Sequence, residues 1–239
     1  MKFSQLFRIY INHSLVKNQI IYIVDHRLHY LSSVIRLKKG QYIRMFNEHD
    51  GEFIAQVVSI NKKEITFKVI DNLRVIIEEP TFILALCIIK LDRFLEAITA
   101  AVQLGVTKII PVISSRVQLK TIPRDKIENI LQQSTEQSER LKVPLLADPI
   151  SLEELVKKTD IEQIVFANEN EIESQTISTI KCWRKNLCVL IGPEGGFTDQ
   201  EIKSLDQPNI MSVSLGATVM RTEIAAIVAL ACVKMMRQK

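Results

Sequence analysis

The chain has 239 residues, of which 47% are hydrophobic and 24% charged, and its net charge is +4. That length leaves room for one large or two small domains with ample core, and the composition is that of an ordinary globular protein. There is no run of about 18 apolar residues, so no membrane span is expected. With four cysteines, none in a Cys-x-x-Cys pair, and four scattered His, no metal site is expected either. Residues 1–8 lack a continuous apolar signal region, and everything fits a reduced cytoplasm.

Charge is unevenly spread. Residues 1–72 carry eleven Lys and Arg against six Asp and Glu, while residues 73–239 carry twenty against twenty-one. The positive excess therefore lies in the first third, which fits either a surface that meets a polyanion or a solvated, lysine-rich face. That segment reads as a small β-rich domain, 1–72. Asp25 is positioned to cap a short helix through Ile35, with Leu28, Leu31 and Ile35 on one face. Tyr42–Phe46, Phe53–Ile60 and Glu64–Ile70 read as strands, with Asn61-Lys62-Lys63 turning between the last two. The stretch from Asn72 to Pro80 reads as a joint.

Residues 73–239 form a second domain of alternating strands and helices. Phe82–Ile89 is a continuous apolar run, as a buried parallel strand requires. Arg93–Leu104 has helical spacing and ends at Gly105. Lys108–Ile113 predicts a strand, Asp125–Leu141 a long polar helix, Leu152–Lys158 a short helix and Gln163–Ala167 a strand. Leu187–Ile191, Asp199–Leu205 and Ile210–Leu215 continue the alternation. Ile224–Met236 closes it as a helix that is apolar on nearly all sides. Strands separated by helices imply a parallel sheet covered on both faces. Cys87 and Cys232 sit in apolar runs and read as buried.

Three strand ends carry the chemistry. After Leu187–Ile191 comes Gly192-Pro-Glu-Gly-Gly-Phe197, which holds three of the chain's seven glycines. Thr198 and Glu201 follow at the spacing of a helix-opening capping box. Glycine is placed where the backbone needs positive φ or close approach. The turn is not a P-loop, because no Gly-Lys-Ser/Thr follows, and it comes too late for a first dinucleotide-binding unit. Phe166-Ala-Asn-Glu169 and Ser214-Leu-Gly-Ala-Thr-Val-Met-Arg-Thr-Glu223 end two other strands. In a parallel sheet such loops gather at one edge and can line one crevice. Their backbone groups suit the polar edge of an adenine, with Ile191, Leu215 and Met220 against its faces.

The pair Ile191-Gly-Pro-Glu-Gly-Gly-Phe197 and Leu215-Gly-x5-Arg221-Thr-Glu223 resembles the RsmE family of ribosomal RNA methyltransferases, of the SPOUT superfamily. Arg8, the segment His29-Tyr-Leu-Ser-Ser-Val-Ile-Arg-Leu-Lys-Lys-Gly40, Lys90-x-x-Arg93, Leu104-Gly-Val106 and Glu136-Gln-Ser-x-Arg140 with Pro144 extend the resemblance along the whole chain. Three positions depart from the family pattern. Thr218 stands where an arginine is usual, Ile224 where a threonine is, and Gln103 where a carboxylate is.

The resemblance implies an α/β fold with a trefoil-knotted SPOUT domain, a small PUA-like β-barrel before it, and a homodimer. It implies S-adenosylmethionine as methyl donor and N3 of one uridine in 16S ribosomal RNA as acceptor. Ala167, Asn168, Glu169, Ile191, Gly192, Pro193, Glu194, Gly196, Ser214, Leu215, Gly216, Val219, Met220 and Thr222 would hold the donor. Arg221 would stabilise negative charge on the uracil oxygens, and Glu223 or Glu194 would accept the N3 proton. Arg8, Arg27, Arg36, Lys38 and Lys39 would meet RNA phosphates. Two other classes fit parts of the pattern. One is a non-catalytic RNA-binding or ribosome-assembly factor on the same fold. The other is a nucleotide-dependent oxidoreductase, disfavoured by the missing early Gly-x-Gly-x-x-Gly.

Overall fold

The structure, a computed structural model, describes residues 5–117, 121–171, 176–180 and 182–237. The first four residues of the expected non-signal N-terminus lie outside this set. The chain forms two compact units. The first is the chain up to Glu78 together with Thr135–Lys142, and the second is Glu79–Ser134 with the chain from Val143 onward.

The first unit is built on strands β1 (Arg8–Tyr10), β2 (Ile20–Ile23), β3 (Tyr42–Asn47), β4 (Gly51–Ile60) and β5 (Ile65–Arg74). They lie in the order β1-β3-β4-β5-β2, an open half-barrel with β1 and β2 at its edges rather than a closed one. β1 runs parallel to β3, and the other pairs are antiparallel. Alternate residues of a strand face opposite sides. Ile43 and Met45, Ala55 and Val57, and Ile65, Phe67 and Val69 therefore share one buried face. Burying each large apolar side chain there contributes roughly 1.5–3 kcal/mol. Asn61 closes the β4–β5 hairpin through its side-chain oxygen, which accepts from the Lys63 and Glu64 N–H groups. Gly51 has φ +93, and a Cβ there would lie 2.2 Å from the Arg74 carbonyl oxygen, so only glycine fits.

The expected helix from Asp25 through Ile35 is present, but most of it is wound as a π-helix, wider than an α-helix. It is one turn, α1 (Arg27–His29), running into a π-helical turn over Tyr30–Val34. The Asp25 carboxylate meets the start of this turn, accepting from the Arg27 main-chain N–H at 3.0 Å as well as from the Arg27 guanidinium. Of the apolar trio, Leu31 is fully buried and Leu28 and Ile35 pack against the core.

The far side of β3 and β4 is also buried, but with charge. Arg8 donates through Nε to Glu52 Oε1 at 2.5 Å and through Nη1 to the Thr135 and Glu136 carbonyls at 2.9 and 3.1 Å. Arg74 donates to the other Glu52 oxygen at 2.7 Å, and Arg44 pairs with Glu139 at 2.7 Å. The Arg8 guanidinium also lies 3.5 Å from the centre of the Phe46 ring. Residues 135–142 thus belong to the first unit because buried arginines reach their carbonyls.

The second unit alternates β6 (Phe82–Cys87), α2 (Leu91–Gln103), β7 (Lys108–Ile113), α3 (Arg124–Gln137), β8 (Leu145–Leu146), β9 (Ile150–Ser151) and α4 (Leu152–Val156). It continues with β10 (Gln163–Ala167), β11 (Leu187–Ile191), α5 (Asp199–Ser204), β12 (Ile210–Val213) and α6 (Thr222–Arg237). All pairings are parallel, in the order β12-β10-β11-β6-β7-β8, with β9 also on β7. Leu84, Leu86, Val189 and Ile191 face one layer, with α2 and α6. Ile83, Ala85, Cys188 and Leu190 face the other, with α4 and α5. Continuous apolar strands follow from this double cover. α2 buries Phe94, Ala97, Ile98, Ala101 and Val102, one helical face. It ends in a Schellman motif, with Val106 N–H on the Ala101 carbonyl, Gly105 N–H on Val102 and Gly105 at φ +95.

The long polar helix stops at Gln137 rather than Leu141, and Glu139 follows with φ +58. α6 buries one stripe, Ala226, Ala229, Leu230 and Val233, rather than all sides. Cys87 and Cys188 are buried, and desolvation pushes each thiol up to about 12. Cys232 is only half-buried. Among the described residues no helix is long and apolar enough to cross a membrane, and no cluster of His, Cys, Asp and Glu is placed to hold a metal ion.

Candidate active site

β12, β10 and β11 are neighbours, and their carboxyl ends are level: Ala167 pairs with both Ile191 and Val213. The three loops singled out in the sequence therefore leave the sheet at one height. Together they enclose a cleft of about 520 Å³, within the usual size range of small-molecule sites.

The glycine turn is folded tightly. Gly196 N–H donates to the Pro193 carbonyl at 2.9 Å, with Gly196 at φ +67. Phe197 folds back under it, since a Cβ on Gly192 would lie 3.1 Å from that ring, and Phe197 meets Phe166 edge-on at 5.5 Å. The capping box is present: Thr198 Oγ1 accepts from Glu201 N–H at 3.3 Å, and Glu201 Oε2 accepts from Thr198 N–H at 2.8 Å. Glu201 also accepts from Ser115 N–H at 2.7 Å, tying the loop after β7 to this turn. Burial opposes ionisation of Glu201, but these hydrogen bonds outweigh it and hold its carboxyl below the usual range. From the same loop, Arg116 donates to the Gly195 carbonyl.

The Asn168 side chain is engaged locally. Its amide donates to Ser212 at 3.1 Å and its oxygen accepts from Asn170 N–H at 3.1 Å. Asn168 thus shapes the loop after β10. In the third loop, Gly216 adopts φ +118 and its N–H donates to Ser214 Oγ at 3.2 Å.

Thirteen of the sixteen residues that the sequence assigns to donor binding and catalysis line the cleft. The exceptions are Ser214 and Gly216, which set the course of the third loop, and Glu223. Glu223 lies at the start of α6 and its side chain is 0% exposed. Arg221 Nη1 is 3.2 Å from its Oε1 and Arg93 Nε is 3.9 Å away, while Arg221 itself is 64% exposed at the cleft mouth. The first contact is not aligned as a hydrogen bond and the second is too long for one, so both Glu223 oxygens lack a hydrogen-bond partner. A buried carboxylate is costly unless cations stand beside it, and the amino end of α6 adds favourable dipole.

Arg93, Arg116, Phe166 and Phe197 also line the cleft, and the sequence reading assigns them no role there. Arg93 does stand out in the sequence, three residues after Lys90 at a helix start, but nothing local says that it reaches Glu194. Arg116 has no local signal, because its partner Gly195 lies 79 residues away.

In the first unit, Arg36, Lys38 and Lys39 are exposed. Arg27 is partly engaged by Asp25 and the Tyr10 carbonyl. Arg8 corrects the sequence reading. It is buried, its guanidinium is consumed by Glu52 and main-chain carbonyls, and it is not available to RNA phosphates.

The parallel α/β unit with a cleft at its strand ends, and the small β unit, are those of an RNA methyltransferase and its PUA domain. Residues 78–234 match the RNA methyltransferase domain, and residues 23–70 match the RNA methyltransferase PUA domain. The chain belongs to the ribosomal RNA small subunit methyltransferase E family. It is 38% identical to the family's protein from Rickettsia conorii, over 96% of this chain and 95% of that one. It is 32% identical to the protein from Buchnera aphidicola subsp. Schizaphis graminum, over 93% of each. Among solved structures, a methyltransferase from Legionella pneumophila in complex with S-adenosylmethionine superposes with TM-score 0.86 at 27% identity, covering 97% of this chain and 98% of that one. Ribosomal RNA small subunit methyltransferase E from Neisseria gonorrhoeae, bound to S-adenosylmethionine, gives 0.85 at 25% identity with the same coverage.

Proposed function

We propose that the chain transfers a methyl group from S-adenosylmethionine to N3 of a uridine in 16S ribosomal RNA, within the cytoplasm. The observation that carries this reading is the cleft between Gly192–Gly196 and Leu215–Thr222, with Arg221 at its mouth.

The cleft fits the donor by its chemistry. Ile191, Leu215 and Met220 offer apolar surface for an adenine, and the glycine turn brings main-chain groups within close approach. When bound, S-adenosylmethionine supplies an electrophilic methyl group on sulfonium sulfur. The residues of the chain supply the rest. Uridine N3 becomes nucleophilic as its proton leaves and charge builds on O2 and O4. The Arg221 guanidinium, paired with Glu223, is placed to stabilise that charge. Glu223 is too buried to meet the N3 proton, so its role is to orient Arg221. Glu194 is the carboxylate in the cleft of the two named in the sequence, and we assign it the proton. A uridine within folded RNA must be splayed out to reach the cleft. Arg27, Arg36, Lys38 and Lys39 are the candidate phosphate contacts.

The homodimer is part of the same proposal. Ile224, Ile227, Val228, Ala231 and Met235 form a second apolar stripe along α6 that the chain itself buries only in part, with Met235 69% exposed. The expected knot is supported by chain order: β12 lies outside β10, and the chain then returns to pack α6 on α2, β6 and β11.

Calorimetric titration with S-adenosylmethionine tests the donor assignment. Saturable binding is expected. A folded protein that takes up none would sink the methyltransferase reading and favour the inert RNA-binding factor.

A further inference from the structure

We propose that Arg93 is a positioning residue that couples the glycine turn to Arg221 through a chain of alternating charges: Glu194, Arg93, Glu223, Arg221. This rests on the methyltransferase reading for its kinetic consequence but not for its physical content.

Arg93 stands near the amino end of α2, and its guanidinium faces two carboxylates on different walls of the cleft. One Nη1–H donates to Glu194, inside the glycine turn. Its Nε lies 3.9 Å from Glu223 Oε1, at the start of α6. The same Glu223 oxygen is 3.2 Å from Arg221 Nη1. One buried carboxylate atom is thus shared by two arginines, one reaching back to the turn and one reaching out to the mouth.

Two features make this more than a surface ion pair. Glu223 is fully buried and has no hydrogen bond on either oxygen, and these two guanidinium groups are the cations that stand beside it. Arg93 is about a third exposed and lines the cleft, so whatever enters the cleft and moves Glu194 also moves Arg93. When Arg93 turns toward Glu194, Glu223 relies more on Arg221, and when Arg93 turns toward Glu223, Arg221 is freer to reach outward. The planar, forked guanidinium can hold two carboxylates at once with fixed geometry, which a lysine ammonium does not reproduce. The recognised object is therefore the state of the turn, and the responding object is the cation at the mouth.

The experiment has two arms. The first needs no catalysis. In protein carrying isotope-labelled arginine, nuclear magnetic resonance reads the Nε–H signal of Arg221. Glu194→Gln is expected to shift it, although no contact joins the two residues, and to leave it unmoved in an Arg93→Gln background. An Arg221 signal indifferent to Glu194→Gln, or one that still responds without Arg93, overturns the relay. The second arm measures methyl transfer. Arg93→Gln is expected to lower kcat by roughly 2- to 30-fold with little change in KM for the donor, and Arg93→Lys to restore little of it. A rise in KM alone, or full rescue by lysine, contradicts the positioning role. If the first arm holds and wild-type protein transfers no methyl group, the functional reading fails while the relay stands.

Discussion

Two clusters of arginine and glutamate lie in this molecule, one in each unit, and they have opposite fates. In the first unit Glu52 is closed in. Arg8 and Arg74 each donate to one of its oxygens, Arg44 stands 3.7 Å away, and the spare arginine donors end on main-chain carbonyls and Glu139. In the second unit Glu223 is equally buried, yet its oxygens hold no hydrogen bond and its cations face an open cleft. The same residue types build a clasp where both oxygens of the buried carboxylate are hydrogen-bonded, and an open arrangement where neither is. Hydrogen bonding of the carboxylate, rather than charge, separates the two.

Breaking the closed cluster should cost the most. Glu52→Ala leaves buried arginines without their counter-ion, and a loss of about 3–5 kcal/mol is expected. Chemical denaturation would read it, and a stability within error of wild type would show that the cluster is not a clasp. Opening the second cluster should cost chemistry more than stability, because Arg93 still stands beside Glu223 when Arg221 is removed. Arg221→Ala is expected to lower kcat by about 10²–10³, while donor affinity by calorimetry stays within about tenfold. Equal losses in folding stability would erase the distinction between the clusters.

A smaller effect is expected where the turn meets α5. Glu201→Gln keeps an amide oxygen that can accept in the capping box but removes the carboxylate charge at the amino end of α5, and should cost about 0.5 kcal/mol in thermal melts at neutral pH. The folded-state carboxyl of Glu201 is held below its ordinary 4.5. Its stabilisation is therefore present above that value and fades as pH falls through the lower, folded-state one. The gap between variant and wild type should close over that acid range, and a gap constant with pH would assign the effect to something other than ionisation. Smallest are the exposed cations of the first unit. Lys38→Ala and Lys39→Ala should each weaken RNA binding with little sequence preference and reduce the salt slope by about 1. Arg8→Ala, by contrast, should act on folding, because Arg8 belongs to the clasp.

The local signals in the sequence marked the loops that line the cleft. The glycine turn, the Thr198–Glu201 box and the Leu215–Glu223 loop are contiguous patterns whose physics is local, and parallel pairing brings them together. What was not legible depends on partners far along the chain. β1 is three residues long and pairs with β3 across 36 positions, and β2 pairs with β5. Segment 135–142 joins the first unit through residues far earlier in the chain, among them Arg8 and Tyr10, more than a hundred positions away. Arg8 looked like a phosphate contact because its charge was visible and its burial was not. Glu223 looked like a base because its place beside Arg221 was visible, while its lack of exposure required the packed start of α6.

The most direct test is mass mapping of 16S ribosomal RNA from cells lacking this protein, complemented with either wild type or Arg221→Ala. The expected result is one N3-methyluridine that disappears without the protein, returns with wild type and stays absent with Arg221→Ala. Unchanged uridine methylation in its absence, or full restoration by Arg221→Ala, would contradict the account.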